Sequence, residues 1–138
     1  MTSLILKNCN IVDANFPEPR EGKDVLIENE WIKEINDSSI QSDNAQVIDL
    51  KGMNLIPGLI DAHCHIILSD LNISNTDSLP STLVSAKASK LMKEMLFRGF
   101  TSIRDAAGAD WGLKAAEEQG IIEGPKLWIA GRSLSQTG

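Results

Sequence analysis

Only two histidines, two cysteines and no tyrosine occur in the 138 residues, and aromatic side chains make up just 4% of them. Two cysteines, Cys9 and Cys64, cannot supply the dense disulfide framework that small secreted domains use in place of a core, so both are read as buried thiols of a reducing compartment. Long apolar runs are missing too. The longest, residues 53–60, contains Asn54 and the breaker Pro57-Gly58, well short of the roughly 20 residues that a bilayer crossing needs. Lys7 and Asn8 follow directly on Leu4-Ile5-Leu6, which leaves no apolar stretch of a secretory signal, and a cytoplasmic address is the expectation. Basic charge is scarce as well: 13 Lys and Arg stand against 19 Asp and Glu, for a net charge of −6. Residues 1–69 carry 5 basic and 11 acidic side chains, whereas residues 70–138 carry 8 of each. A nucleic-acid partner is therefore not expected, because no basic face is available to neutralise phosphates. Neither a Gly-x-Gly-x-x-Gly run nor a Walker-type loop is present, so nucleotide cofactors are not indicated.

What remains is an ordinary globular composition, 42% hydrophobic with 10 Gly and 5 Pro, arranged in two grammars. Residues 1–56 read as a small β lobe. Strand-like runs cover 4–12 and 25–35, the second divided at Glu28-Asn29-Glu30 by a hairpin with Asn29 in the left-handed position. Another pair of runs covers 47–56 around Lys51-Gly52. From Pro57-Gly58 onward, strands alternate with helices: a strand at 59–67, a helix at 81–98, a strand at 100–104, a helix at 110–119 and a strand at 126–130. The first helix shows an apolar stripe of Val84, Ala88, Leu91 and Met95 flanked by Leu83 and Met92, with Ser81 or its neighbour as cap and Gly99 as stop. This alternation is that of consecutive βαβ units, which build a parallel sheet, and both a barrel and an open sheet satisfy it. Trp31, Trp111 and Trp128 lack interleaved basic residues and are expected to pack in a core or interface.

The chemistry concentrates in Pro57-Gly58-Leu59-Ile60-Asp61-Ala62-His63-Cys64-His65, which holds both histidines of the chain. Side chains alternate along a strand, so His63 and His65 share one face, Asp61 is expected on that face with them, and Cys64 points the other way. Two neutral imidazoles on one face suit zinc or a related divalent ion, which needs at least one further protein ligand. A His-x-His pair alone is more often a half-exposed strand decoration. This one stands at the start of a series of βα units, where strand C-terminal ends build active sites. Asp105, at the end of the second strand, is expected to cap the turn into Ala106-Ala107-Gly108, with a role facing the pocket as the competing reading. Arg104 is out of phase with Asp105 and expected toward the helices. Arg132 and Ser135 are candidates for orienting a substrate carboxylate.

The run 57–65 resembles the Pro-Gly-x-x-Asp-x-His-x-His signature on the first barrel strand of the amidohydrolase superfamily of metal-dependent hydrolases. Residues 99–105 resemble that family's second strand, residues 124–132 its third, and the tail 131–138 resembles an imidazolonepropionase- and prolidase-like subgroup. The resemblance implies an α/β fold: an N-terminal β-sandwich lobe over 1–56, and over 57–138 the first three βα units of a (β/α)8 barrel. It also implies a divalent metal, zinc by preference, held by His63 and His65; Asp61, Asp105 and Arg132 are, by their own placement in the sequence, candidates for outer-shell or pocket positions. Metal-activated water would then hydrolyse the C–N bond of a dipeptide or other small molecule, and a homo-oligomer is consistent with the family. No histidine follows His65, and the family's remaining ligands and catalytic aspartate lie on later strands of a barrel that takes about 250 residues. The expectation is an N-terminal part of a hydrolase, inactive alone. The alternatives are a non-catalytic remnant acting as a binding module, or one half of a split enzyme completed by a second chain.

Overall fold

The computed structural model describes residues 3–37, 39–68, 75, 78–134 and 136, and the chain divides into two compact units, Met1–Pro57 and Gly58–Gly138. Together they make a mixed α/β protein.

The first unit is one five-stranded sheet in the order β3-β2-β1-β4, with β5 also on β1. The strands are β1 (Ser3–Ile11), β2 (Arg20–Glu28), β3 (Trp31–Asn36), β4 (Gln46–Asp49) and β5 (Asn54–Leu55). β1 is central because it alternates buried Ile5, Cys9 and Ile11 with more exposed positions, pairing antiparallel with β2 and parallel with β4 and β5. One extra residue of β1 is accommodated between Leu6 and Cys9. Asn8 takes the left-handed conformation there (φ 53°), and its N–H donates to the buried Asp24 carboxylate at 3.0 Å. β2 and β3 form the hairpin expected at Asn29, which lies at φ 57° with Glu28 opposite Trp31. Trp31 itself is 74% exposed, so of the core or interface expected for it the core is ruled out.

Burial, with Asp24 adding its charge, pushes the Cys9 thiol above its ordinary 9.0. The folded state therefore favours the protonated thiol, whose contribution to stability is complete below about pH 9 and is lost as pH rises through the folded value. Alkylation is expected to be slow at pH 8 in the native protein and fast once urea unfolds it; equal rates in both states would contradict the burial.

The second unit is a parallel sheet, β6 (Leu59–Cys64), β7 (Phe100–Asp105) and β8 (Lys126–Ile129), in that order. Helix α1 (Ser81–Phe97) joins β6 to β7, and α2 (Trp111–Glu118) joins β7 to β8. Both helices lie on one face of the sheet, where Ala88, Met92, Met95 and Leu113 enclose Ile66, Ile103, Ala109 and Leu127. The apolar stripe of α1 is turned toward Met92, which is fully buried, while Leu83 is left 44% exposed. Pro80, not Ser81, occupies the N-cap and makes no side-chain cap bond; its fixed φ suits a helix start. At the other end Gly99 takes φ 94° and stops the helix. Asp110 caps α2 by accepting from the Gly112 and Leu113 N–H groups.

Gly58 is required by close approach. A Cβ there would lie 2.1 Å from Thr101 Oγ1. That contact gives a physical reason for the Pro-Gly that opens β6. Among the described residues of this unit, none covers the sheet face away from the helices. Ile60 on β6, Arg104 on β7, and Lys126 and Trp128 on β8 are exposed there. Arg104 therefore does not face the helix layer, as its phase suggested; Ile103 and Asp105, both fully buried, do. Trp111 and Trp128 are also exposed rather than packed in a core, at 79% and 56%. No helix among the described residues is long and apolar enough to cross a membrane.

Candidate metal centre

β6 carries the two histidines toward the C-terminal end of the parallel sheet, and it does so with an irregularity. In register with β7, Asp61 stands opposite Ile103 and Cys64 opposite Asp105, so three steps along β6 match two along β7. The extra residue falls at Ala62-His63, and plain alternation no longer relates Asp61 to the histidines. Opposite the buried Ile103, Asp61 shares the helix-side face with Cys64. This corrects the expectation that Asp61 lies beside His63 and His65. Its carboxylate turns back and accepts from the His63 N–H at 3.1 Å. On the open face, Arg104 Nε donates to the Ala62 carbonyl at 2.8 Å, across from the same irregularity.

His63 and His65 remain partners. Their ring centroids are 5.3 Å apart at an interplanar angle of 80°. Two imidazoles bound at about 2.0–2.1 Å to one tetrahedral ion have ring centroids about 5 Å apart, so the spacing suits joint ligation. His65 Nδ1 lies 3.2 Å from the Ala107 carbonyl oxygen, which can only accept, so the contact calls for a proton on Nδ1; in the neutral ring Nε2 is then the nitrogen with the lone pair. Cys64 points to the other side. Its thiol donates to the Arg104 carbonyl at 3.5 Å, and burial, followed by the charges of Asp61 and Asp105, pushes it up to about 11. On that side of the strand the thiol is turned away from the two imidazoles.

Asp105 is completely buried, and both carboxylate oxygens are occupied by main-chain donors, Ile66 N–H at 2.8 Å and Ala109 N–H at 3.1 Å. It is thus withdrawn from the open face. The bond to Ala109 is the expected turn cap, whereas the bond to Ile66 reaches across to the strand of the histidines and was not visible in sequence. Arg132 is exposed beyond β8, with no partner to place it among the described residues, and Ser135 lies outside them. Among the described residues no group of three or more His, Cys, Asp or Glu side chains is arranged to hold a metal ion, and His63 and His65 stand as a pair.

The family model for the amidohydrolase family matches residues 54–137, a span that includes β6, β7, β8 and both helices. The chain belongs to the amidohydrolase family. A crystal structure of an amidohydrolase superimposes with a TM-score of 0.92 at 44% sequence identity, covering 99% of this chain and 33% of that one. A prolidase crystallised with N-methylphosphonate-L-proline follows at 0.91 and 38%, covering 98% of this chain and 33% of its own. Among curated proteins, the dihydroorotase of Aquifex aeolicus (strain VF5) is 42% identical over 67 residues, which is 48% of this chain and 15% of that enzyme. This amidohydrolase chain therefore spans about a third of the length of the solved structures it matches. Its relatives are hydrolases acting on C–N bonds in a metal-dependent family.

Proposed function

We propose that the chain is the N-terminal part of a metal-dependent hydrolase that cleaves the C–N bond of a dipeptide or an acylated amino acid. The observation that carries this reading is the pair His63 and His65, side by side at the C-terminal end of the first parallel strand, with the Nδ1 proton of His65 held by a backbone carbonyl. In this reading β6–β8 and their helices are the opening βα units of a (β/α)8 barrel whose interior is the open face of the sheet. The five-stranded lobe is then one layer of a β-sandwich. The dipeptide class draws on the prolidase relative.

His63 and His65 would hold the divalent ion, zinc being the metal that neutral imidazoles suit best. When bound, such an ion supplies Lewis acidity toward a carbonyl and lowers the pKa of its water. The chain's own part is to present two imidazoles side by side, with the Nδ1 of His65 facing a backbone carbonyl, to keep the Cys64 thiol off that face, and to keep the Asp105 carboxylate occupied by main-chain donors. Arg132 remains the candidate for a substrate carboxylate, and the compartment proposed is the cytoplasm.

The test is hydrolysis of Xaa-Pro dipeptides and N-acyl amino acids by the full-length polypeptide that carries these residues. Turnover is expected to vanish on chelation and to return with zinc. Turnover that survives complete removal of metal would overturn the metal reading. Absence of hydrolysis across both substrate classes by metal-loaded protein would favour a non-catalytic binding module.

A further inference from the structure

We infer that Asp105 is a positioning residue for His65, fixing through the main chain which imidazole nitrogen is bare. The inference rests on the reading of His63 and His65 as metal ligands, and it assigns Asp105 a role beyond capping its own turn.

Asp105 Oδ2 accepts from Ile66 N–H, the residue directly after His65, at 2.8 Å. Oδ1 accepts from Ala109 N–H at 3.1 Å, which closes the turn 105–109 around Ala107. Ala106 N–H donates to the Cys64 carbonyl, directly before His65, at 2.9 Å. The backbone of His65 is therefore tied to the end of β7 on both sides. The turn that ties it also presents the Ala107 carbonyl, 3.2 Å from His65 Nδ1. Asp105 thus fixes both ends of that contact, the histidine and the acceptor.

The far side of the turn is anchored as well. Ala130 N–H donates to the Asp105 carbonyl at 3.0 Å and Gly108 N–H to the Gly131 carbonyl at 2.9 Å, so β8 holds the turn from behind. Gly108 adopts φ 113°, which L side chains rarely adopt, and this lets the turn reverse after Ala107. A cap accounts for the Ala109 bond alone. The Ile66 bond, made by a fully buried carboxylate to a neighbouring strand, is what couples the turn to the histidine. A neutral imidazole carries one N–H and one bare nitrogen, so an acceptor locked at Nδ1 leaves Nε2 as the ligand.

The experiment is ¹⁵N NMR of histidine-labelled, metal-free full-length protein, with the His65 signals assigned by their loss in His65→Gln. The wild type is expected in the Nδ1-protonated form. Asp105→Asn keeps one acceptor oxygen but sets an amide donor against a main-chain donor. It is expected to fold cooperatively, to show mixed tautomers at His65, and to bind zinc about 10–100-fold more weakly. Retention of the wild-type tautomer and zinc affinity by Asp105→Asn would overturn the inference. Should that variant fail to fold, replacing Ile66 by its α-hydroxy analogue removes only the N–H that Asp105 accepts, and an unchanged tautomer and affinity there would overturn it equally. Wild-type protein that holds no zinc at His65 would defeat the metal reading instead; the tautomer comparison in metal-free protein then still decides the role of Asp105.

Discussion

Replacing His65 by Ala in the full-length protein is expected to strip the bound divalent ion and remove hydrolysis together, and His63→Ala is expected to do the same. Loss of an outer-shell partner already costs roughly 10–100-fold in metal affinity or activity, and loss of a ligand itself should exceed that. The geometry makes the two substitutions equivalent in kind, because the rings are neighbours 5.3 Å apart and each would give one bond to the ion. Cys64→Ser is the matched control. It changes the residue between them on the opposite side of the strand, where the thiol meets the Arg104 carbonyl, and it should leave the metal in place. Metal content by mass spectrometry, read beside turnover, checks all three. Stoichiometric metal in the His63→Ala/His65→Ala double variant would end the assignment.

The second large effect concerns the scaffold. Met92→Ala is expected to destabilise the protein by about 2–5 kcal/mol, as large-to-small changes do in a core that cannot collapse. Met92 is fully buried at the centre of the cluster that joins α1 to β7 and β8. Its surroundings are tight on the far side as well: a Cβ on Gly124 would lie 2.7 Å from Met92 Cβ, so the loop before β8 rests on this side chain. Leu83→Ala on the same helix removes a residue 44% exposed and should cost about 0.5 kcal/mol or less. Urea unfolding of the two variants separates them. Similar midpoints would show that α1 does not pack through Met92.

The succession of strands and helices was readable because each element obeys its own period, and the left-handed Asn29 and the stop at Gly99 sit where turn chemistry puts them. The His63/His65 pair was readable for the same reason, since residues two apart share a strand face. The position of Asp61 was not. One extra residue at Ala62-His63 shifts the phase, and a β-bulge leaves no reliable mark in a single sequence. That shift moves Asp61 to the helix side. Arg104 was misplaced by its phase, whereas Asp105 caps its turn through Ala109 as expected; what the sequence hid is the second buried main-chain donor, Ile66 N–H, whose demand for an acceptor exists only in three dimensions. The tryptophans were expected in a core or an interface, and the core half of that reading fails. Large aromatic residues usually indicate a core, yet Trp31, Trp111 and Trp128 all stand in solvent among the described residues.

The one-sided helix cover of the β6–β8 sheet has an optical consequence. Trp128 lies on the uncovered face, 56% exposed, with the Lys126 ammonium 5.3 Å from its ring centroid. Whatever comes to lie over that face must displace water from this indole, which moves its emission toward the blue. With Trp31 and Trp111 replaced by Phe, the face carries its own native fluorophore, and its occupancy can be followed without attaching a label.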